Sequence, residues 1–233
     1  VTVIPPMVTE ATADMAMALL LAVARRVIEG DRLVRAGIYP GGQSNHLAGG
    51  GVTGKVLGLI GGGGRIGKAV AQRARGFDMR ILYSTPRRKS EAEEREAGMT
   101  YVSLDDLLRE SDFVSVHTPL RAETRHQLGE REFALMKPTA YLVNTARGPI
   151  VDEAALVRAL QGKTIAGAGL DVFEFEPRVS SELLTMPNIV LTPHLGSAVI
   201  ELREAMANVV ADNAIAMIVG CRPPNCFNPE VLG

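Results

Sequence analysis

The chain has 233 residues, 46% hydrophobic and 22% charged, with a formal net charge of −1. That apolar fraction suffices for a substantial core, and the near-neutral balance argues against a nucleic-acid partner held by bulk electrostatics. Two cysteines, Cys221 and Cys226, make no disulfide framework and, without a second Cys/His pair, no zinc site, so no metal is expected.

The thiols read as free in a reducing compartment. Nothing reads as a signal peptide, and no apolar stretch approaches the roughly 18 residues that a bilayer span requires. The expectation is a cytoplasmic protein without a membrane partner. The first six residues, VTVIPP, read as a strand fragment from the middle of something longer. Residues 9–14, TEATAD, open a helix with Thr9 placed to cap it and acids in its first turns. Residues 15–24, MAMALLLAVA, are apolar throughout, and a helix apolar all round must be covered on every side. A second subunit is the expected cover, which predicts a homodimer; another domain is the alternative.

A connector rich in Gly, Ser, Asn and Pro follows at residues 37–54. Residues 49–55 match G-x-x-x-x-G-K, but Val56 stands where a Ser or Thr should ligate magnesium. The lysine also precedes a strand, not a helix, which excludes a P-loop NTPase. Residues 56–67 then read VLGLIGGGGRIG. An apolar strand, Val56–Ile60, runs into four glycines, and a helix, Arg65–Arg75, begins at once. Gly62, Gly64 and Gly67 form G-x-G-x-x-G in the strand–turn–helix context that marks a dinucleotide pyrophosphate site. The first glycine serves a tight turn, the second close approach of the phosphates, and the third helix packing, with free N–H groups attracting the anion.

Beyond the motif, strands are predicted at 79–83, 100–102, 113–117, 140–144, 165–170 and 188–191. Helices are predicted at 90–97, Leu104–Glu110, 130–136, 152–160 and 198–219. Strands separated by helices imply right-handed crossovers and a doubly wound parallel α/β sheet of Rossmann type.

An NAD-selective site places an acid about 20 residues past the motif to hold the ribose 2′-hydroxyl. Here the run is Ser84-Thr85-Pro86-Arg87-Arg88-Lys89. Hydroxyls followed by cations suit a 2′-phosphate, with Ser84, Thr85, Arg87 and Arg88 as its contacts and NADP preferred over NAD. The plainer alternative is a solvated basic start to the Glu-rich helix.

Three strand ends carry the chemistry. Residues 144–148 read NTARG, residues 171–177 DVFEFEP and residues 192–196 TPHLG. In a parallel sheet their loops emerge on the edge where the glycine turn lies. Arg147, Glu176 and His194 would then stand beside a nicotinamide, as reduction of a 2-keto acid requires. Arginine binds the carboxylate and polarises the keto oxygen, and histidine supplies the proton. A carboxylate beside the histidine favours the protonated imidazole. Glu174 lies in the same loop as Glu176, and these residues alone do not separate the two. His46 and His126 match nothing and are expected to be solvated.

With these motifs in order, together with TEATAD (9–14), TPHLGSA (192–198) and PPNCFNP (223–229), the chain resembles the D-2-hydroxyacid dehydrogenase family over nearly its whole length. Within it, the likeness is greatest to the glyoxylate/hydroxypyruvate reductase branch. The resemblance implies catalytic roles for Arg147, Glu176 and His194, the Glu before Pro177 being the family's acid. It implies cofactor contacts from Arg65 and Ile66 at the phosphates and from His117, Thr118 and Pro119 beside the adenosine. Thr145 and Asp171 would lie near the nicotinamide, and Ala146, His194 and Gly196 would be further cofactor contacts. It further implies that residues 1–197 form the dinucleotide-binding domain and 198–233 a helix and tail returning toward a smaller substrate lobe. Most of that lobe would precede this sequence, so the chain reads as part of a longer reductase. The alternative on the same scaffold is a dinucleotide-responsive, corepressor-like binding protein.

Overall fold

The computed structural model describes residues 1–39, 41–42 and 45–232. Pro40, Gln43 and Ser44 of the predicted connector, and Gly233 of the tail, lie outside the described residues. The chain begins with helices α1 (Thr9–Ala24) and α2 (Val27–Arg35). There follow β1 (Val56–Ile60), α3 (Arg65–Arg75), β2 (Arg80–Ser84), α4 (Glu91–Ala97), β3 (Met99–Tyr101) and α5 (Leu104–Glu110). Then come β4 (Phe113–Val116), α6 (Glu130–Leu135), β5 (Tyr141–Asn144) and α7 (Glu153–Gln161). The last elements are β6 (Gly167–Leu170), α8 (Ser181–Thr185), β7 (Ile189–Leu191) and α9 (Ile200–Ile218).

The strands form one sheet in the order β3-β2-β1-β4-β5-β6-β7, and every neighbouring pair is parallel. This is the predicted doubly wound Rossmann-type architecture. Both faces are covered, so successive strand residues alternate between two cores rather than between core and water. Leu57 and Leu59 of β1 join Tyr83, Phe113 and Val143 beneath α1 and α3. Ile60 joins Val116, Leu142 and Leu170 beneath Leu107 of α5, Phe133 of α6 and Leu156 of α7.

α1 lies on the sheet beside α3, burying Ala13, Ala16, Leu19, Leu20 and Val23. Val8 occupies the N-cap position without a side-chain bond, so Thr9 is the first helical residue rather than the predicted cap. Glu10 and Asp14 both hold Arg73 of α3, at 2.8 and 2.6 Å. The cover expected around residues 15–24 is incomplete within the chain: Ala18 is exposed, and Met15, Leu21 and Ala22 are half-buried.

α2 has no counterpart in the sequence reading. Arg26, in the left-handed region at φ 53°, separates it from α1, and none of its residues is buried. The predicted strand fragment at the start joins no sheet; Thr2 makes a single antiparallel bridge with Cys226. α9 lies mostly exposed, with Asn213 buried. That side chain takes the Asn225 N–H at 2.9 Å and so ties the tail back to the helix.

The start of α3 is seated on the glycine turn at Gly67, where a Cβ would stand 2.5 Å from the Gly62 Cα. Overpacking of this kind costs about 1–3 kcal/mol. Gly67→Ala is therefore expected to lower the urea midpoint at unchanged m-value; a midpoint equal to the wild type's would show that the turn gives way freely.

Candidate active site

Ligands of an open parallel sheet bind beyond the carboxyl ends of its strands, where the strand order reverses. The reversal here falls between β1 and β4. The loops after β1, β4, β5, β6 and β7 enclose a cleft of about 610 Å³. Arg65 and Ile66 line it from the glycine turn, and His117, Thr118 and Pro119 from the end of β4. Thr145, Ala146 and Arg147 line it after β5, Asp171 after β6, and His194 and Gly196 after β7. An adjoining hollow of about 500 Å³ shares Arg65, Ile66 and His117 and extends over Gly63 and Gly64 to Lys89.

At the turn, the left-handed residue is Gly61, at φ 79°. The tight turn thus falls one residue ahead of Gly62, where the motif placed it. Gly64 begins α3 without a side-chain cap, which leaves first-turn N–H groups for an anion. Lys89 lies over this turn, its Cε 2.9 Å from where a Gly63 Cβ would stand, with the Thr85 methyl at 3.5 Å. Ser84 and Thr85 are half-buried and Arg87 is exposed.

Arg88 differs from the expectation that it faces a phosphate, because it is committed to a carboxylate. Its Nε and Nη2 donate to the two oxygens of Glu94, at 2.8 and 2.9 Å, and the guanidinium lies 5.7 Å from the centre of the Tyr101 ring. The Tyr83 hydroxyl donates to the same carboxylate at 2.7 Å. The bond from Arg88, then that from Tyr83, holds the Glu94 carboxyl at about 2. Burial, with Glu94 adding to it, pushes Tyr83 up to about 12.

His117 closes β4, with Nε2 2.9 Å from the Ser115 hydroxyl. Burial pushes it down to about 4, so it stands neutral near pH 7. After β5, the buried Asn144 side chain shapes the next turn: its amide donates to the Arg147 carbonyl at 3.1 Å, and its oxygen accepts the Ala146 N–H at 3.0 Å. Arg147 is exposed on the cleft. Gly148 then lies flat against the next loop, where a Cβ would fall 1.9 Å from the Phe173 carbonyl. Thr145 Oγ1 is buried without a protein partner. A cleft whose walls include this unused hydroxyl and an uncapped helix start fits a polar, anionic dinucleotide.

Asp171 is fully buried and its carboxylate is used within the protein. Oδ1 accepts the Leu195 N–H at 2.7 Å and the Thr192 hydroxyl at 2.6 Å, and Oδ2 accepts the Gly196 N–H at 2.7 Å. Its main-chain carbonyl accepts the His194 N–H at 2.9 Å, so one residue shapes the loop in which His194 sits at φ 56°. His194 Nδ1 lies 3.0 Å from Glu176 Oε2, and Glu176 Oε1 accepts the Phe173 N–H at 3.1 Å. The Glu176–Pro177 peptide is cis. Burial works to raise the Glu176 carboxyl. The bonds from His194 and Phe173, with the charges of His194 and Arg147, outweigh it and hold the group below its ordinary value.

Glu174 turns the other way, to His126 Nε2 at 2.6 Å and Arg125 at 3.1 Å. His126 is exposed, as is His46, and carries this partner in addition.

Fold and site together define a dinucleotide-binding domain with an arginine and a histidine lining its cleft and a glutamate bonded to that histidine. Residues 17–196 match the family model of the D-isomer specific 2-hydroxyacid dehydrogenase NAD binding domain. The glyoxylate reductase of Thermococcus litoralis is 53% identical over 236 residues, spanning 100% of this chain and 71% of the relative. The structure of a glyoxylate reductase from Paecilomyes thermophila superposes with a TM-score of 0.84 at 40% identity, covering 93% of this chain and 64% of that one. An NADPH-dependent glyoxylate/hydroxypyruvate reductase from Sinorhizobium meliloti, solved with NADP and malonate, gives 0.84 at 38% identity, covering 93% and 66%. The chain belongs to the D-isomer specific 2-hydroxyacid dehydrogenase family.

Proposed function

We propose that this chain is the nucleotide-binding and acid–base part of an NAD(P)H-dependent reductase that converts a small 2-keto acid, of glyoxylate or hydroxypyruvate type, to the D-2-hydroxy acid. The observation that carries the reading is the 3.0 Å contact of His194 with Glu176 on the same cleft that Arg147 lines. When bound, the reduced nicotinamide supplies a hydride to the keto carbon. Arg147 binds the substrate carboxylate and polarises the keto oxygen. With Nδ1 of His194 engaged by Glu176, Nε2 is the nitrogen left to give that oxygen its proton. Glu176, held below its ordinary value, is ionised across the neutral range and is the charged partner of the ring at Nδ1.

The glycine turn, Arg65, Ile66 and Thr145 are the residues we assign to the dinucleotide, with His117–Pro119 beside its adenosine. Asp171 and Gly196 shape the nicotinamide end. For the 2′-phosphate we assign Ser84, Thr85, Arg87 and Lys89, and NADP as the preferred cofactor; the commitment of Arg88 to Glu94 supports leaving it out. Residues 198–233 are assigned as a segment returning toward a substrate lobe. The part-open face of α1 at Met15, Ala18 and Ala22, with exposed Val27 and Val34 of α2, supports a homodimer through this lobe. Among the described residues no helix is long and apolar enough to cross a membrane; the two free cysteines support a cytoplasmic location.

Nicotinamide absorbance, followed with full-length protein and glyoxylate, hydroxypyruvate or 2-ketogluconate, tests the reaction, and no oxidation with any of them would favour a binding protein instead. His194→Ala should lower kcat by about 10²–10⁴-fold. Glu176→Gln should lower kcat and move the alkaline limb of the pH profile to lower pH, because the negative partner that favours the proton is gone. An unmoved limb would remove Glu176 from the mechanism. On the cofactor, kcat/KM should favour NADPH, and Arg87→Ala should erode that preference more than Arg88→Ala; comparable values for both nucleotides in the wild type would refute it. Sedimentation of the full-length protein should give a dimer, and a monomer at micromolar concentration would end that assignment.

A further inference from the structure

The loop that presents Glu176 hangs at both ends from a single carboxylate on a different element. Glu153 is the first residue of α7, directly after the N-cap Asp152, and only 5% of it is exposed. Its Oε2 accepts the N–H of Glu174 at 2.9 Å. Its Oε1 accepts the N–H of Ser180 at 3.3 Å and also the Ser180 hydroxyl. The two attachment points stand two residues before and four residues after Glu176.

The tie is reciprocated, since Glu174 Oε2 accepts the N–H of Glu153 at 3.1 Å. Glu174 is in turn held by Arg125 and His126. Glu153 has no ion pair among the described residues; three neutral donors converge on it. Only a group that accepts and never donates can satisfy all three, because an amide would aim its NH₂ at an N–H. Between the attachment points the geometry leaves little slack. The Phe173 carbonyl rests against Gly148 of the Arg147 turn, and a bridge joins Phe175 to Arg178.

We propose that Glu153 is a positioning residue for the acid–base pair, holding the 174–180 loop so that Glu176 Oε2 stays within hydrogen-bond reach of His194 Nδ1. It touches neither substrate nor cofactor and acts through Glu176 alone. The proposal rests on the reductase reading above. Releasing the loop misplaces Glu176 without dismantling the glycine turn after β1 or the end of β4, to which the reading above assigns the phosphates and the adenosine. A displacement of about 1 Å at a reacting group costs on the order of 100-fold in rate.

The test compares Glu153→Ala, Glu153→Gln, Ser180→Ala and Glu176→Gln in full-length protein. It follows kcat, KM for the keto acid, the pH profile of kcat and the Kd for NADPH. Glu153→Ala and Glu153→Gln should each lower kcat by about 10- to 100-fold and move the alkaline limb in the same direction as Glu176→Gln. NADPH affinity should stay within about twofold of wild type. Ser180→Ala, which removes one of three donors, should act in the same direction but more weakly. The double variant of Glu153→Ala with Glu176→Gln should be no slower than Glu176→Gln alone, as for residues acting through one another. Multiplying losses in that double variant, or an unmoved limb in the single ones, would overturn the proposal. Should Glu153→Ala not fold, Ser180→Ala and Glu153→Gln decide by the same limb. If Glu176→Gln itself changes nothing, the acid–base reading fails and this inference with it; if Glu176→Gln acts and the Glu153 variants do not, only this inference fails.

Discussion

Everything at the site depends on all seven strands running the same way. A parallel sheet sends each carboxyl end to one edge, and the order reversal between β1 and β4 opens a crevice there that no helix fills. Residues more than a hundred positions apart in the chain, such as Ile66 and His194, therefore line one cleft. The two cores that cover the sheet make that edge rigid. Their packing supplies the stable base from which short loops can hold unusual conformations, including the left-handed His194.

Three buried polar side chains then do the local shaping, each by hydrogen bonds to main chain. Asn144 folds the turn that carries Arg147, Asp171 folds the loop that carries His194, and Glu153 ties the loop that carries Glu176. None of the three has a counter-ion among the described residues, and each accepts from or donates to groups that would otherwise be unsatisfied in the interior. Such groups are expensive to leave unpaired, so each loop has one well-satisfied arrangement.

Much of this was legible in the residues. The apolar runs and the glycine motif place β1 and α3 to the residue, because a buried strand running into four glycines and then a helix has few other meanings. The crossover pattern predicts the sheet, and from it the shared edge for Arg147, Glu176 and His194. What could not be read was pairing at a distance. Nothing local says that Arg88 pairs with Glu94 six residues on, or that His126 meets Glu174. The glutamate choice turns on side-chain direction: neighbours two apart in an irregular loop face different ways only once the turn is built. α2 was missed although its sequence is amphipathic; none of its residues is buried, so its apolar side, with Val27 and Val34, meets no core within the chain. A one-residue shift of the tight turn, from Gly62 to Gly61, is likewise invisible in a run of four glycines.

The loop after β2 rests on a frame that does not answer to acidity. There the Glu94 carboxyl is held at about 2 and the Tyr83 hydroxyl pushed up to about 12, so with Arg88 bonded to Glu94 the frame keeps its charges across the neutral range. On the proposed reading the proton is given elsewhere, at the contact of His194 with Glu176. Acidity within the neutral range therefore leaves the support of that loop untouched, whatever it does at the loops beyond β6 and β7.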